Sequence, residues 1–120
     1  MNTFVIQRHE ADRAGHHQDF RLEIDGTLAS WAVPKDLPLD KGIKRLAIKV
    51  SDHPLSYANF SGIIESGYGK GIVGIEDEGY YEPVSIQPNS ILIRLVGKTY
   101  KGIYRIKHWE GSKWLFWKSD

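Results

Sequence analysis

The chain has 120 residues, the size of one ordinary domain, and its 41% hydrophobic and 26% charged residues fit a folded globular protein rather than a disordered one. It has no cysteine, which excludes disulfides and thiolate metal ligands and fits a reducing, cytoplasmic setting. A net charge of +1 gives no whole-molecule field for a polyanion, and no apolar run reaches the roughly 20 residues a membrane-spanning helix needs.

The first element is a short alternating run, Thr3 to Arg8, that ends at His9 and is too short and too polar for a signal peptide. A second strand follows, in which Phe20, Leu22 and Ile24 alternate with Asp19, Arg21 and Glu23. Asp25-Gly26 then supplies a tight hairpin turn, because both positions tolerate positive φ. The return strand runs from Thr27 to Val33 and is closed by Pro34. Residues 38–44 are expected to hold one short helical turn, and Arg45 to Val50 to form the next strand. Further apolar runs at Ile72–Ile75, Ile91–Val96, Ile103–Ile106 and Trp114–Trp117 are separated by glycine, aspartate or proline. Sustained helical periodicity is missing. The pattern predicts a single mainly β domain over residues 1–120, a compact antiparallel β-barrel or strongly curved sandwich with little helix.

Residues two apart on a strand share a face, so His17, Asp19 and Arg21 project together while Phe20 and Leu22 enter the core. An imidazole and a carboxylate about 7 Å apart along a strand can converge on one metal ion. Arg21 would then stand where a metal-bound phosphate could accept two hydrogen bonds. His9, eight residues before His17, can return through a loop containing Gly15 as a third ligand. Two imidazole nitrogens and one carboxylate suit Mn²⁺, Zn²⁺ or Fe²⁺ better than Ca²⁺ or Mg²⁺. His16 points the other way and replaces His17 if the register slips by one. The same polar row also fits an ordinary solvent-facing strand.

A second cluster, Asp52-His53-Pro54-Leu55-Ser56-Tyr57, places an imidazole and a phenol at the rim of such a site, where His53 could deliver a proton to a leaving oxygen. Lys35 and Arg45 are cations at strand ends. Gly67-Tyr68-Gly69-Lys70-Gly71 reads as a turn near the site, without the spacing of a phosphate-binding loop. The four tryptophans read as core or girdle. Residues 98–120 carry six Lys/Arg against Glu110 and Asp120, while 76–82 are acidic. That is a local basic face or a set of solvated strand faces, not a broad nucleic-acid wrap. Two other function classes fit some of these residues. One is a two-His-one-carboxylate iron oxygenase completed by His53 or His108; the other is a metal-free nucleic-acid-binding barrel.

Taken together, Phe4-Val5-Ile6-Gln7-Arg8-His9, His17-Gln18-Asp19-Phe20-Arg21-Leu22-Glu23, Asp25-Gly26-Thr27-Leu28-Ala29-Ser30-Trp31-Ala32-Val33-Pro34-Lys35, Lys44-Arg45-Leu46-Ala47, Asp52-His53-Pro54-Leu55-Ser56-Tyr57 and Tyr68-Gly69-Lys70-Gly71 resemble the 3′-phosphoesterase domain of bacterial DNA ligase D, in order along the chain. The resemblance implies a small β-barrel enzyme, here in free-standing form and monomeric. Such an enzyme uses Mn²⁺, with Zn²⁺ or Co²⁺ as substitutes, to remove a 3′-terminal ribonucleoside and then the 3′-phosphate. Its partners would be nucleic-acid 3′ ends and a separate ligase or polymerase. His9, His17 and Asp19 match the family's metal ligands. Arg21, His53 and Tyr57 match residues around the scissile phosphate, and Lys35 and Arg45 match cations used on the terminal phosphate. Two departures stand out: the first two histidines are eight apart where six is usual, and Ser51 replaces a common acidic residue.

Overall fold

The computed structural model describes residues 2–11, 15–64 and 71–120. Among these described residues nine strands are formed: β1 (Thr3–Ala11), β2 (Gly15–Ile24), β3 (Thr27–Val33), β4 (Lys44–His53), β5 (Gly62–Ile64), β6 (Gly71–Gln87), β7 (Ser90–Val96), β8 (Lys101–Glu110) and β9 (Lys113–Lys118). They follow the order β1-β2-β3-β4-β9-β8-β7-β6-β5, and β6 also pairs with β1. Eight antiparallel strands therefore close into a barrel, and β5 adds to the start of β6. Closure leaves the eight barrel strands without a free edge, which suits a short chain rich in β-branched residues. Among the described residues no helix is long and apolar enough to cross a membrane.

Period two decides the inside. Phe4 and Ile6 of β1, Phe20 and Leu22 of β2, Trp31 and Val33 of β3, Ile91, Ile93 and Leu95 of β7, Tyr104 and Ile106 of β8, and Trp114 and Phe116 of β9 fill one continuous core. Their edge-on aromatic contacts, such as Phe20 to Phe116 at 4.9 Å between ring centroids, are the favoured geometry for packed rings. The expected hairpin forms at Asp25-Gly26, with φ of 53° and 81°, the pair of positive values a two-residue turn needs.

Three expectations are corrected. Residues 38–44 hold no helical turn. Instead, the stretch from Asp36 to Pro38 offers backbone groups to the side chains of Arg45, Gln18, Tyr100 and Tyr104. Among the described residues the helical segment is a 3₁₀ turn at Leu55–Asn59, entered through the extended Pro54, whose ring holds φ at −65°. The strand read at Ile72–Ile75 continues to Gln87, straight through the acidic stretch and Pro83.

The last of these has a local cause. A register shift between Ile6 and Gln7 puts one extra residue, Glu76, into β6 opposite β1. Asp77 is thereby buried, and its carboxylate accepts the backbone N–H groups of Glu78, Lys98, Thr99 and Tyr100. An acidic residue that looks solvated in the sequence is thus a clamp on the β7–β8 turn.

A small second layer covers the outside of β1, β2 and β3. Val5, Leu28 and Val73 are buried yet do not belong to the interior cluster. Val73 pairs with Gly62 of β5, Val5 sits opposite Arg21, and Leu28 shares a cavity wall with Leu55, Ala58 and Asn59. Gln7, wholly buried, donates from Nε2 to the carbonyls of Tyr57 (2.9 Å) and Phe60 (3.2 Å) and so fastens the 3₁₀ turn to β1.

Candidate metal centre

The hairpin of β1 and β2 stays in register to Ala11 and Gly15, so His9 and His17 are direct cross-strand partners, and Gln7 faces Asp19 two residues further along. The eight-residue interval therefore lengthens the two strands and keeps the histidines opposed. Their rings lie 5.0 Å apart, tilted by 57°. His17 Nε2 is 3.0 Å from Asp19 Oδ1, and His9 Nδ1 is 3.7 Å from Asp19 Oδ2. One ligand atom from each of the three lies within 4.8 Å of the others. Ligands on opposite sides of a transition ion sit roughly 4.2 Å apart, from bonds of about 2.1 Å, so the three residues fit one ion after a small closure. Loading would replace the His17–Asp19 hydrogen bond, because His17 Nε2 and the carboxylate must each offer a lone pair to the ion.

His16 is exposed, pairs with Glu10 and lies on the opposite side of β2, so the pleat brings His17 to Asp19 instead. His108 is also elsewhere, with Nε2 2.9 Å from the Gly111 carbonyl oxygen. His53 lies beside Arg21 and is not part of the three-residue group. The solvent-facing reading of the row fails too, since Asp19 is 7% exposed and Arg21 only 3%. Residues 12–14, within the expected return loop, and 67–70 of the glycine-rich turn lie outside the described residues.

Arg21 is held on every side. Its Nε donates to Gln7 Oε1 at 2.7 Å, one terminal nitrogen is 3.4 Å from Asp19, and the other is 3.1 Å from His53 Nδ1. The guanidinium carbon stands 4.8 Å over the Tyr57 ring, a cation–π distance. Burial lowers the Arg21 pKa, offset in part by Asp19, and a guanidinium remains charged across the physiological range. The His53 and Tyr57 rings are in contact, 4.8 Å between centroids and tilted by 44°. Burial, then the charge of Arg21, lowers the His53 pKa, so at neutral pH fewer of these rings carry a proton than an ordinary histidine's would. Burial raises the Tyr57 pKa, which keeps its hydroxyl a donor.

Lys35 and Arg45 line a different hollow, of about 220 Å³, with Pro34, Lys44 and Leu46. The hollow is tied to the metal-binding strands. Arg8, next to His9, pairs with Asp36 at 2.9 Å, and Gln18, between His17 and Asp19, accepts the Leu37 N–H at 2.6 Å. Gln18 also donates to Glu76 and to Tyr100.

Gln7 and Gln18 are the structural residues that sequence reasoning missed. For Gln18 a signal existed: it stands in the apolar phase of β2, with Phe20 and Leu22, where a polar side chain must find buried partners. Gln7 carried no such mark, because it stands in the outward phase of β1 and two of its three partners are 50 and more residues away.

Comparison with known proteins agrees with this geometry. The model of the DNA ligase D 3′-phosphoesterase domain matches residues 7–108. Over 119 residues the chain is 46% identical to the multifunctional non-homologous end joining DNA repair protein LigD of Mycobacterium tuberculosis, covering 95% of this chain and 15% of that protein. Over 82 residues it is 54% identical to the multifunctional non-homologous end joining protein LigD of Pseudomonas aeruginosa, covering 68% of this chain and 10% of that one. The chain thus corresponds to a small part of these much longer relatives.

Proposed function

The chain belongs to the DNA ligase D 3′-phosphoesterase domain family, and from that premise we propose that it is a metal-dependent enzyme that heals nucleic-acid 3′ ends for end-joining repair. Its reactions are removal of a 3′-terminal ribonucleoside and then of the 3′-phosphate, leaving a hydroxyl that a separate ligase or polymerase can use. The observation that carries the reading is the convergence of His9, His17 and Asp19 within 4.8 Å, with the buried Arg21 directly beside them.

His9, His17 and Asp19 would hold the ion, Mn²⁺ first and Zn²⁺ or Co²⁺ as alternatives. A bound divalent ion supplies Lewis-acid polarisation of a phosphate oxygen. Arg21 stabilises the charge that grows on the phosphoryl oxygens, and its fork is already aimed by Gln7, Asp19 and Tyr57, so little ordering remains at the moment of reaction. A hydroxyl oxygen, of water or of a vicinal 2′-hydroxyl, forms the new bond to phosphorus while His53 gives a proton to the leaving oxygen as its P–O bond breaks, and the lowered pKa places the pH range of that role below that of a free histidine. Tyr57 donates its hydroxyl to a phosphate oxygen. Lys35 and Arg45 take the terminal phosphate in the second step, in the hollow that Asp36 and Leu37 connect to the metal-binding strands.

The test is a primer–template ending in one ribonucleotide, incubated with and without Mn²⁺, its products resolved over time. A 3′-phosphate intermediate that gives way to a 3′-hydroxyl, only with metal, is expected. Intact primer with Mn²⁺, Zn²⁺ and Co²⁺ alike, although the DNA binds, would leave the metal-free binding barrel as the better account.

A further inference from the structure

The wall of the barrel made by β4, β9 and β8 is predominantly cationic, with Lys44, Arg105, Lys107 and Lys113 against Asp52 and Glu110 at its margins. Interior positions on these strands are Ala47, Trp114, Phe116, Tyr104 and Ile106, so the alternate residues face outward. The register sets Lys44, Trp117 and Arg105 in one row across the three strands and Leu46, Leu115 and Lys107 in the next. Lys113 follows opposite Ile48. Among the described residues of this face the carboxylates are Glu110, directly across from Lys113, and Asp52, at the far end of β4, while Lys44, Lys107 and Lys113 form no side-chain ion pair. The cationic face ends at β7, where Arg94 pairs with Glu82 at 3.4 Å. Glu76, Glu78 and Glu82 lie on β6, beyond that boundary, so a net charge of +1 hides a one-sided distribution.

The face is also apolar between its cations. Leu46 is 38% exposed and Trp109 57% exposed, and Leu115 and Trp117 are half-buried. Lys44 stands 4.7 Å over the Trp117 ring and Lys113 5.6 Å over the Trp109 ring, which holds both ammonium groups against flat surfaces. Lys44 belongs at once to this face and to the hollow of Lys35 and Arg45.

We propose that this face is the track for the sugar-phosphate backbone of the substrate strand as it leaves the hollow lined by Lys35 and Arg45. The proposal rests on the end-healing reading for the direction of the strand. Charge decides the partner: cations spaced about 7 Å along β8 and about 10 Å across the three strands, with apolar side chains between them, complement a chain of phosphates joined by sugars. An acidic protein would need its carboxylates in the same spacing, and a membrane would need the basic face at one flat pole.

Lys107 and Lys113 are exposed and lie outside the hollow of Lys35 and Arg45, so they can be changed without touching it. Lys107→Glu/Lys113→Glu and, as a milder pair, Lys107→Gln/Lys113→Gln would be compared with the unaltered protein by anisotropy of a labelled primer–template over a range of salt. The charge-reversed pair should bind about tenfold or more weakly, and the slope of log affinity against log salt should become shallower by about two. The Gln pair should show the same change in slope with a smaller loss. Turnover of a 3′-phosphorylated dinucleotide, too short to reach β8, should be unchanged. Affinity and slope equal to those of the unaltered protein would overturn the proposal. Salt-dependent binding lost in the variants, from a protein that cleaves nothing, would keep the track and sink the end-healing reading.

Discussion

Gln7 joins the barrel, the 3₁₀ turn and the catalytic arginine, so Gln7→Leu is the sharpest probe of how the site is held. The amide is wholly buried and makes three hydrogen bonds, one from Arg21 Nε and two to the carbonyls of Tyr57 and Phe60. A hydrogen bond to a charged group contributes about 1.5–3 kcal/mol, and leaving two partly wet carbonyls unpaired costs about 1 kcal/mol more. The leucine side chain buries extra apolar surface and returns about 1 kcal/mol. The net loss is therefore about 1.5–3 kcal/mol, a large share of the stability of an ordinary domain. For a chain of this length that is about 10 °C in midpoint temperature. Calorimetry or denaturant unfolding measures it, and cleavage of the ribonucleotide-ended primer should fall about tenfold because Tyr57 and Arg21 lose their anchor. A midpoint within about 2 °C of the unaltered protein, with full activity, would refute the reasoning.

Asp77→Ala removes a carboxylate that accepts four backbone N–H groups, and urea unfolding should show a loss of about 3 kcal/mol with metal-stimulated cleavage retained. The pKa of His53 is lower in the folded chain than the 6.5 of an unperturbed ring. Below that value the unfolded chain binds a proton the folded one refuses, so stability declines as pH falls through 6.5 toward the folded pKa. His53→Gln should flatten this limb of a stability–pH curve, and an unchanged limb would assign the decline to another group. Arg8→Met, by releasing Asp36, should weaken removal of the 3′-phosphate more than removal of the ribonucleoside; equal effects on both rates would disconnect the Lys35 loop from Arg8.

The barrel and its hairpins were legible because period-two alternation and turn residues act locally. Phe20, Leu22 and Ile24 against Asp19, Arg21 and Glu23 already told inside from outside. The same alternation put His17, Asp19 and Arg21 on one side of β2, and the cross-strand pairing with His9 needed only an unbroken hairpin. What escaped was long-range. The course of β6 through Glu76–Pro83 depends on a bulge against β1 and on backbone donors from residues 98–100, which no local pattern announces. The helical turn was expected at 38–44, but the backbone leading into it, Asp36 to Pro38, is committed to the side chains of Arg45, Gln18, Tyr100 and Tyr104. The tryptophans divide: Trp31 and Trp114 are core as expected, whereas Trp109 is exposed on the cationic face. That face appeared in the sequence only as an excess of lysine near the C-terminus, since its rows are assembled from β4, β9 and β8.

The central claim is that His9, His17 and Asp19 are a metal centre. The most direct measurement is calorimetric titration with Mn²⁺ of the unaltered protein, His17→Ala and His16→Ala. One ion bound by the unaltered protein and by His16→Ala, and none by His17→Ala, is the predicted result. Equal binding by His17→Ala, or none by the unaltered protein, would contradict it.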